Sequence, residues 1–495
     1  MTEHPFNAAE LLLSQGAAQQ PALVEGAQRW TYGALRVEVA RAAAAWTSLG
    51  VAVGDRVLIG LADGAQAAIA LLGAMWSGAV AVMANPRQSA AQWQAMAGQV
   101  QARCLLLDAG AAVPAGLGAR VLDPHRWLAL VGAAAARLAH AAGPEQDALW
   151  TFSSGTSGTP KVVRHAHRFA LAVHGVAEQR LGITAADRLY ASSRLFFVYP
   201  LANSLFAGLR VGATVVLDAA WPTASGTARV VAGQAPTVLF TVPSLLRDLL
   251  AEGHDAALRG LRLAVSAGEA LPPRLRAAWL ARTGVPLVDG WGCSETMCLM
   301  LLDHGQGLLP APGVQVRWAE PAPPLGQPGR LCVRAPTLAL GYWQRPREQA
   351  ESFREQGFCP GDLFEPGARG GWVFVGREDS LVKLGARWVD LGALAESLHE
   401  ALGDGHGVRE LAAVTAPDAD GVQALALFFV PRSAGEGDAA GVPAALDRAL
   451  QDLPAHQRPR WCHALPELPR TATGKLLRRR LLELHEERVG NGRCA

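Results

Sequence analysis

The sequence predicts an α/β protein: a large amino-terminal domain of mostly parallel βα-layered sheets with a small β-rich module, followed by a small α+β domain. Three observations predict it. Short apolar runs alternate with longer alanine- and leucine-rich stretches of helical spacing, and strands buried on both faces between helices belong to parallel sheets. From about Gly326 the texture turns to glycine, proline and short alternating strands. Finally, the charged segment Gly376-Arg377-Glu378-Asp379-Ser380 precedes roughly 115 further residues, a sensible size for a separate domain. The boundary is placed at Asp379, which divides the chain into residues 1–378 and 379–495.

The elements follow in chain order. Ala34 to Leu49 has helical spacing, and Arg56 to Ile59 reads as a buried strand. Ala65 to Ala84 carries no charge and is long enough to span a bilayer. However, it is alanine-rich, Gly73 and Gly78 interrupt it, and valines gather only after Ser77, before Asn85-Pro86. A buried helix feeding a buried strand is the expectation, with no membrane partner. Further strands are expected at Cys104 to Leu107, Ala213 to Leu217, Val238 to Phe240 and Leu261 to Val265, and a helix at Pro272 to Ala281. Alternating strands at Gly329 to Arg334 and Gly371 to Val375 build the β-rich module.

Composition narrows the function classes. The 495 residues are half apolar and 18% charged, too long for one core and too weakly charged for a disordered chain. Lysine plus arginine number 45 against 43 acids, a net charge of +2. That balance supplies no field for nucleic acid or an anionic membrane surface. Seven scattered cysteines without C-x-x-C spacing argue against a disulfide framework or a zinc site. The start, MTEHPFNAAELLLSQG, lacks a basic n-region, so export is not indicated and a cytoplasmic location is expected.

Chemistry concentrates in Thr151-Phe152-Ser153-Ser154-Gly155-Thr156-Ser157-Gly158-Thr159-Pro160-Lys161. Small, hydroxylated and turn-forming residues around one lysine let the backbone wrap an anion, as a phosphate cradle does. A Walker loop fails because Pro160 and Val162 flank the lysine. A nucleophile elbow fails at Thr159, and an S-x-x-K pair fails at Gly158. A flexible linker would not need a fixed proline-lysine end.

With this loop the chain resembles the acyl-adenylate-forming enzymes: acyl- and aryl-CoA synthetases, nonribosomal adenylation domains and luciferases. Ser153 to Lys161 matches the family loop that holds the β- and γ-phosphates of ATP, which implies phosphate roles for Ser153, Ser154, Gly155, Thr156, Ser157 and Lys161. Five further motifs stand in order. Ser266-Ala267-Gly268-Glu269-Ala270-Leu271-Pro272 resembles the adenine-side loop, implying nucleotide contacts from Gly268, Glu269 and Ala270. Asp289-Gly290-Trp291-Gly292-Cys293-Ser294-Glu295-Thr296 resembles Y-G-x-T-E. By that match Asp289, Gly290 and Ser294 belong to the ATP site, Trp291 stacks on adenine and Glu295 directs Mg²⁺ with Thr156. Such a hard cation commonly takes one or two carboxylates beside phosphate oxygens.

Pro360-Gly361-Asp362 resembles T-G-D, whose aspartate binds both ribose hydroxyls, and a carboxylate has the acceptors for a vicinal diol. Gly376-Arg377-Glu378-Asp379 resembles G-R-x-D: Arg377 reaches the ribose or α-phosphate and Asp379 is the hinge of a mobile carboxy-terminal domain. Pro469-Arg470-Thr471-Ala472-Thr473-Gly474-Lys475 matches the last motif and makes Lys475 the catalytic lysine. A positioned cation there neutralises charge as pyrophosphate leaves. The basic run that follows is read as a helix face.

Within the family, Arg194-Leu195-Phe196-Phe197-Val198-Tyr199-Pro200-Leu201-Ala202-Asn203 resembles the F-F-x-Y-x-L-x-N stretch of benzoate-type CoA ligases. The resemblance implies that Phe197, Val198, Tyr199, Ala267, Gly292 and Met297 line the organic end of the acid, a flat slot for a ring. One departure concerns the second step. Lys383-Leu384-Gly385-Ala386 has alanine where the family has glycine along the pantetheine passage, and Ala393 and Ala395 replace downstream glutamates.

The expected function is an ATP-dependent aryl-carboxylate CoA ligase, with ATP, Mg²⁺ and coenzyme A, acting on a benzoate-sized or small heteroaromatic acid. A stand-alone enzyme loading a carrier protein, a short- or medium-chain acyl-CoA synthetase and a silent nucleotide-binding protein are the competing expectations. Retention of Lys475, Glu295, Asp362 and Arg377 together speaks against the last. A homodimer is compatible with the sequence but not specified by it.

Overall fold

The computed structural model describes residues 6–113, 116–153, 160–324, 327–367, 370–378, 381–384, 387–402, 407–418, 423–431, 444–470 and 476–490. The expected α/β architecture is present. One large sheet runs Leu309–Pro310, Leu301–Asp303, Leu287–Trp291, Leu263–Ala267, Val238–Thr241, Arg188–Ala191, Thr214–Leu217, Pro21–Glu25, Gln28–Thr31. Its interior pairings are parallel, and antiparallel strands close both edges. The strands Val238–Thr241 and Leu263–Ala267 are buried along their whole length, as a sheet covered by helices on both faces requires.

A second sheet orders Gly341–Tyr342, Lys161–Ala166, Asp147–Ser153, Val80–Met83, Arg56–Gly60, Ala102–Leu107 and Arg120–Leu122. The uncharged stretch resolves as anticipated into the helix Ala65–Ser77, buried at nearly every position, and the strand Val80–Met83. Gly78 takes φ 83° at the helix end, the left-handed cap that glycine adopts without strain. No helix among the described residues is long and apolar enough to cross a membrane.

The β-rich module begins earlier than its texture suggested. Gln315–Trp318 already pairs with Gly329–Arg334, and Phe353–Arg354, Gly357–Phe358, Asp362–Pro366 and Trp372–Arg377 complete that sheet. Cross-strand register also corrects the reading of the cysteines. Val333 faces Phe358 in an antiparallel pair, which sets Cys332 against Cys359 with Cα atoms 4.1 Å apart, and the two form a disulfide. A separation of 27 residues hid that adjacency from spacing alone. Cys104, Cys293, Cys298 and Cys462 are free.

The carboxy-terminal region is a smaller α+β domain. Val408–Pro417, Gln423–Pro431 and Trp461–Ala464 form a sheet whose two faces feed separate apolar clusters. The helix Leu391–Leu402 contributes Leu391, Leu394 and Leu398 to one cluster. The basic run after Lys475 is helical, Arg478–Gly490, with Arg479 and Arg480 paired to Glu483 on its exposed face.

Candidate active site

Register places the two ends of the phosphate-cradle motif together. Ser153 closes the strand Asp147–Ser153, Lys161 opens Lys161–Ala166, and the two are partners across that antiparallel pair. Ser154, Gly155, Thr156 and Ser157 lie outside the described residues, as do Asp379, Lys475 and the Gly385-Ala386 departure. Around Lys475, the described neighbours Arg470 and Leu476 form a β-bridge.

The Asp289-to-Thr296 motif leaves the end of a parallel strand, Leu287–Trp291, and turns through the short 3₁₀ helix Ser294–Thr296. Ligand sites in open α/β sheets gather at such carboxyl ends. Thr296 fixes the turn: its Oγ1 accepts the Cys293 amide at 2.9 Å, and carbonyl oxygens of Cys293 and Cys298 lie 3.0 Å from it. Gly292 is confined, since a Cβ there would stand 2.8 Å from the Cys298 carbonyl oxygen. Met297 holds φ 65°, ψ −60°, a costly conformation for a side-chain-bearing residue and typical of functional turns.

The structure brings three motif residues into one junction. Trp291 Nε1 donates to Asp362 Oδ2 at 3.2 Å, and Arg377 Nη1 donates to Oδ1 at 3.1 Å. Asp362 and Arg377 are partners across the strands Asp362–Pro366 and Trp372–Arg377. Phe364 meets the edge of Trp291, with ring centroids 5.3 Å apart. Asp362 is 5% exposed, and its two carboxylate oxygens carry about four acceptor positions.

Glu295 is 8% exposed and accepts the Tyr342 hydroxyl at 2.7 Å. Among the described residues it makes no ion pair, and the Tyr342 hydroxyl is the hydrogen-bond donor to its side chain seen there. No group of three or more histidines, cysteines, aspartates or glutamates converges among those residues. A single carboxylate beside ligand phosphates is a donor set that suits Mg²⁺. Burial, then the charge and hydrogen bond of Glu295, hold the Tyr342 phenol far above its ordinary pKa. Cys293 is likewise raised by burial and the charges of Glu295 and Asp362, which disfavours its thiolate.

Beside this turn in the large sheet, Thr241, Ser266 and Asp289 are register partners across three adjacent parallel strands. Among the described residues Ser266 Oγ and Asp289 Oδ1 are buried without a hydrogen-bond partner, the kind of unsatisfied pair that a ligand's polar edge answers. Burial pushes the Asp289 carboxyl up to about 7, opposed by Arg276 and reinforced by Asp303. Gly268 follows at φ 88°. Glu269 is occupied otherwise: its carboxylate takes the Ser244 amide and hydroxyl, each at 2.9 Å. Ala270 is exposed and Ser294 half-buried.

The residues expected to line the organic pocket divide between two apolar clusters. Val198 and Met297 belong to one, which also holds Trp291, whereas Ala267 is in the other and Tyr199 packs against it. Tyr199 spends its hydroxyl on the Val265 carbonyl at 2.8 Å, so it offers a ring wall and no free polar end. Phe197 is 36% exposed and rests on Phe196, with centroids 4.3 Å apart. It therefore stands at the rim and not deep in a slot.

Sequence reasoning assigned no role to several supporting residues. Asn203, in the π-helical turn Leu201–Phe206, donates to the Tyr199 carbonyl at 2.9 Å and accepts the Leu299 amide at 3.4 Å, tying one pocket wall to the segment beyond Glu295. His165 is wholly buried on the strand behind Ser294, and burial lowers its pKa to about 3, so the ring is neutral. Tyr342 carried no signal beyond the dipeptide Gly341-Tyr342.

Comparison with known proteins follows the same lines. The family described as AMP-binding enzyme matches residues 14–343. A 3-hydroxybenzoate–CoA ligase from Aromatoleum sp. (strain CIB) is 35% identical over 95% of each chain. An anthranilate CoA ligase, AuaEII, solved in complex with anthranoyl-AMP, superposes with a TM-score of 0.84 at 25% identity, covering 98% of each chain. A benzoate CoA ligase from Burkholderia xenovorans LB400 superposes at 0.83 and 28% identity, covering 96% of this chain and 99% of its own.

Proposed function

This chain belongs to the family of AMP-binding enzymes, and we propose from that premise that it is an ATP-dependent aryl-carboxylate–CoA ligase. The acid's carboxylate attacks the α-phosphorus of ATP, forming an aryl adenylate as pyrophosphate leaves. The CoA thiol then attacks the acyl carbon, loses its proton, and AMP departs with the former carboxylate oxygen. The observation that carries this reading is the Asp362 carboxylate held between Trp291 and Arg377 beside the Glu295 turn. It supplies an aromatic face, two diol acceptors and a cation in the order a nucleoside phosphate presents them.

The residues take their roles in that frame. Ser153, Ser154, Gly155, Thr156, Ser157 and Lys161 hold the outer phosphates, and Gly268, Ala270, Asp289, Gly290, Trp291 and Ser294 surround the adenine. Glu269, already bonded to Ser244, acts on that side by shaping its loop. Glu295 with Thr156 would hold Mg²⁺, which when bound would supply charge neutralisation on the phosphates. Lys475 neutralises charge at the reacting centre, and the domain beyond Asp379 turns about that residue between half-reactions. The two-domain division at Asp379, like a cytoplasmic location, is part of the proposal.

The relatives act on hydroxybenzoate, benzoate and anthranilate, which supports a single aromatic ring as the organic end. Phe197, Val198, Tyr199, Ala267, Gly292 and Met297 are its neighbours in this proposal. No lysine or arginine follows Arg194 in the stretch to Asn203, so a second carboxylate would be desolvated without a partner there. The test is pyrophosphate release with benzoate, 3-hydroxybenzoate, furoate, hexanoate and phthalate, with and without CoA. Aromatic monoacids should lead and phthalate should be poor. A preference for hexanoate removes the aryl assignment, and absence of acyl-CoA product removes CoA as acceptor.

A further inference from the structure

One buried side chain touches both ends of the proposed phosphate site and belongs to none of the motifs. Tyr342 donates its hydroxyl to Glu295 Oε1 at 2.7 Å, while Lys161 Nζ stands over its ring, 4.9 Å from the centroid. The separation is large in sequence: Lys161 opens one strand of the seven-stranded sheet, and Glu295 sits in the turn leaving the nine-stranded one. Tyr342 is where the two sheets' phosphate-side groups meet.

The local structure holds this tyrosine in place from several directions. The strand Gly341–Tyr342 pairs with Val163 and Arg164, and the Tyr342 amide donates to Gln349 Oε1 at 2.8 Å. Gly341 makes that approach possible: it has φ 127°, and a Cβ there would collide with the Gln349 amide at 2.0 Å. Phe353 braces the ring edge-on at 5.4 Å, and Val163 and Ala339 complete its apolar surroundings. The Glu295 backbone is joined to the same segment, since the Ala339 amide donates to its carbonyl at 2.9 Å and Thr337 Oγ1 donates to the Thr296 carbonyl at 2.9 Å.

A buried carboxylate can present its oxygens in more than one rotation. A hydroxyl donor on one oxygen fixes the plane and leaves the other oxygen's lone pairs for a cation. A cation lying on the phenol face is attracted by the ring quadrupole and loses freedom to swing. We infer that Tyr342 is a positioning residue that orients Glu295 toward Mg²⁺ through its hydroxyl and steadies Lys161 through its ring. This rests on the assignment of Glu295 to the Mg²⁺ site. The two contacts are separable, because phenylalanine keeps the ring and deletes only the hydroxyl.

The experiment measures binding and not turnover. Affinity of a non-hydrolysable ATP analogue is determined by calorimetry in Mg²⁺ and in EDTA for the full chain, Tyr342→Phe, Tyr342→Leu, Glu295→Gln and the double variant Tyr342→Phe/Glu295→Gln. Partners that orient a metal-directed ligand are worth about tenfold or more in affinity. Tyr342→Phe should therefore weaken the Mg²⁺ complex about tenfold and leave the EDTA affinity within twofold. Tyr342→Leu should lose affinity in both conditions. The double variant should bind no worse than Glu295→Gln alone. If Glu295→Gln weakens the Mg²⁺ complex selectively but Tyr342→Phe does not, or if the two losses multiply, the role of Tyr342 is overturned while the metal assignment stands. If Glu295→Gln has no Mg²⁺-selective effect, both fall.

Discussion

Asp362→Asn is the most direct probe of the proposed nucleotide junction, because it changes one atom without changing shape. Asp362 Oδ1 and Oδ2 accept from Arg377 Nη1 and Trp291 Nε1, respectively. The amide nitrogen of asparagine must face one of these two donors, so one hydrogen bond is lost and a donor is set against a donor. A hydrogen bond to a charged group contributes about 1.5–3 kcal/mol. The Arg377 side chain is 41% exposed, so its ion-pair share is discounted to about 1 kcal/mol or less. The larger effect falls on the ribose: a carboxylate accepts both hydroxyls, whereas an amide oxygen serves one. Losing one charge-assisted bond corresponds to about 10- to 100-fold in kcat/KM for ATP. ATP–pyrophosphate exchange would be measured with ATP, 2′-deoxyATP and 3′-deoxyATP. The native protein should discriminate against the deoxynucleotides by a comparable factor, and Asp362→Asn should discriminate only a few-fold. Unchanged discrimination in a folded Asp362→Asn variant would refute the diol assignment.

Three further outcomes are expected. Lys475→Ala should lose pyrophosphate exchange by roughly two to three orders of magnitude, the scale of removing one preorganised charge donor, while thioester formation from supplied aryl adenylate largely survives; equal loss of both steps would remove Lys475 from the adenylation role. Gly292→Ala must displace the Cys298 carbonyl, 2.8 Å from the new Cβ, so adenylation should fall at least about tenfold with little change in circular dichroism; near-native exchange would show that the turn can yield. In the carboxy-terminal domain, His463 Nε2 lies 2.9 Å from His485 Nδ1, and burial, then His485, lowers His463 to about 4. A depressed histidine pKa means that the unfolded chain binds the extra proton, so stability is present above pH ~6.5 and is lost as pH falls toward about 4, on the order of 2 kcal/mol. His463→Gln should flatten the difference in thermal stability between pH 7 and pH 5 relative to the native protein, and an undiminished difference would place the acid sensitivity elsewhere.

The division between sequence and tertiary structure can be read from particular residues. The sequence by itself determined the layered α/β class, because strands such as Val238–Thr241 are apolar throughout only when helices cover both faces. It also determined the reading of Ala65 to Ala84 as helix plus strand, through Gly78 and the valines beyond it. The local turns that carry the contiguous motifs were legible for a similar reason: Ser294–Thr296 and the Gly361-Asp362 corner are built by neighbours in the chain. What crosses between elements was decided only in three dimensions. Cys332 meets Cys359 through strand register, Trp291 meets Asp362 across 71 positions, and Tyr342 meets Glu295 across 47. Phe197 and Tyr199, two apart in one stretch, part company because one faces the rim and the other faces the second apolar cluster. Local patterning reports which face of an element is buried; which residue lies on the other side of that face is set by packing, and packing follows from the whole chain.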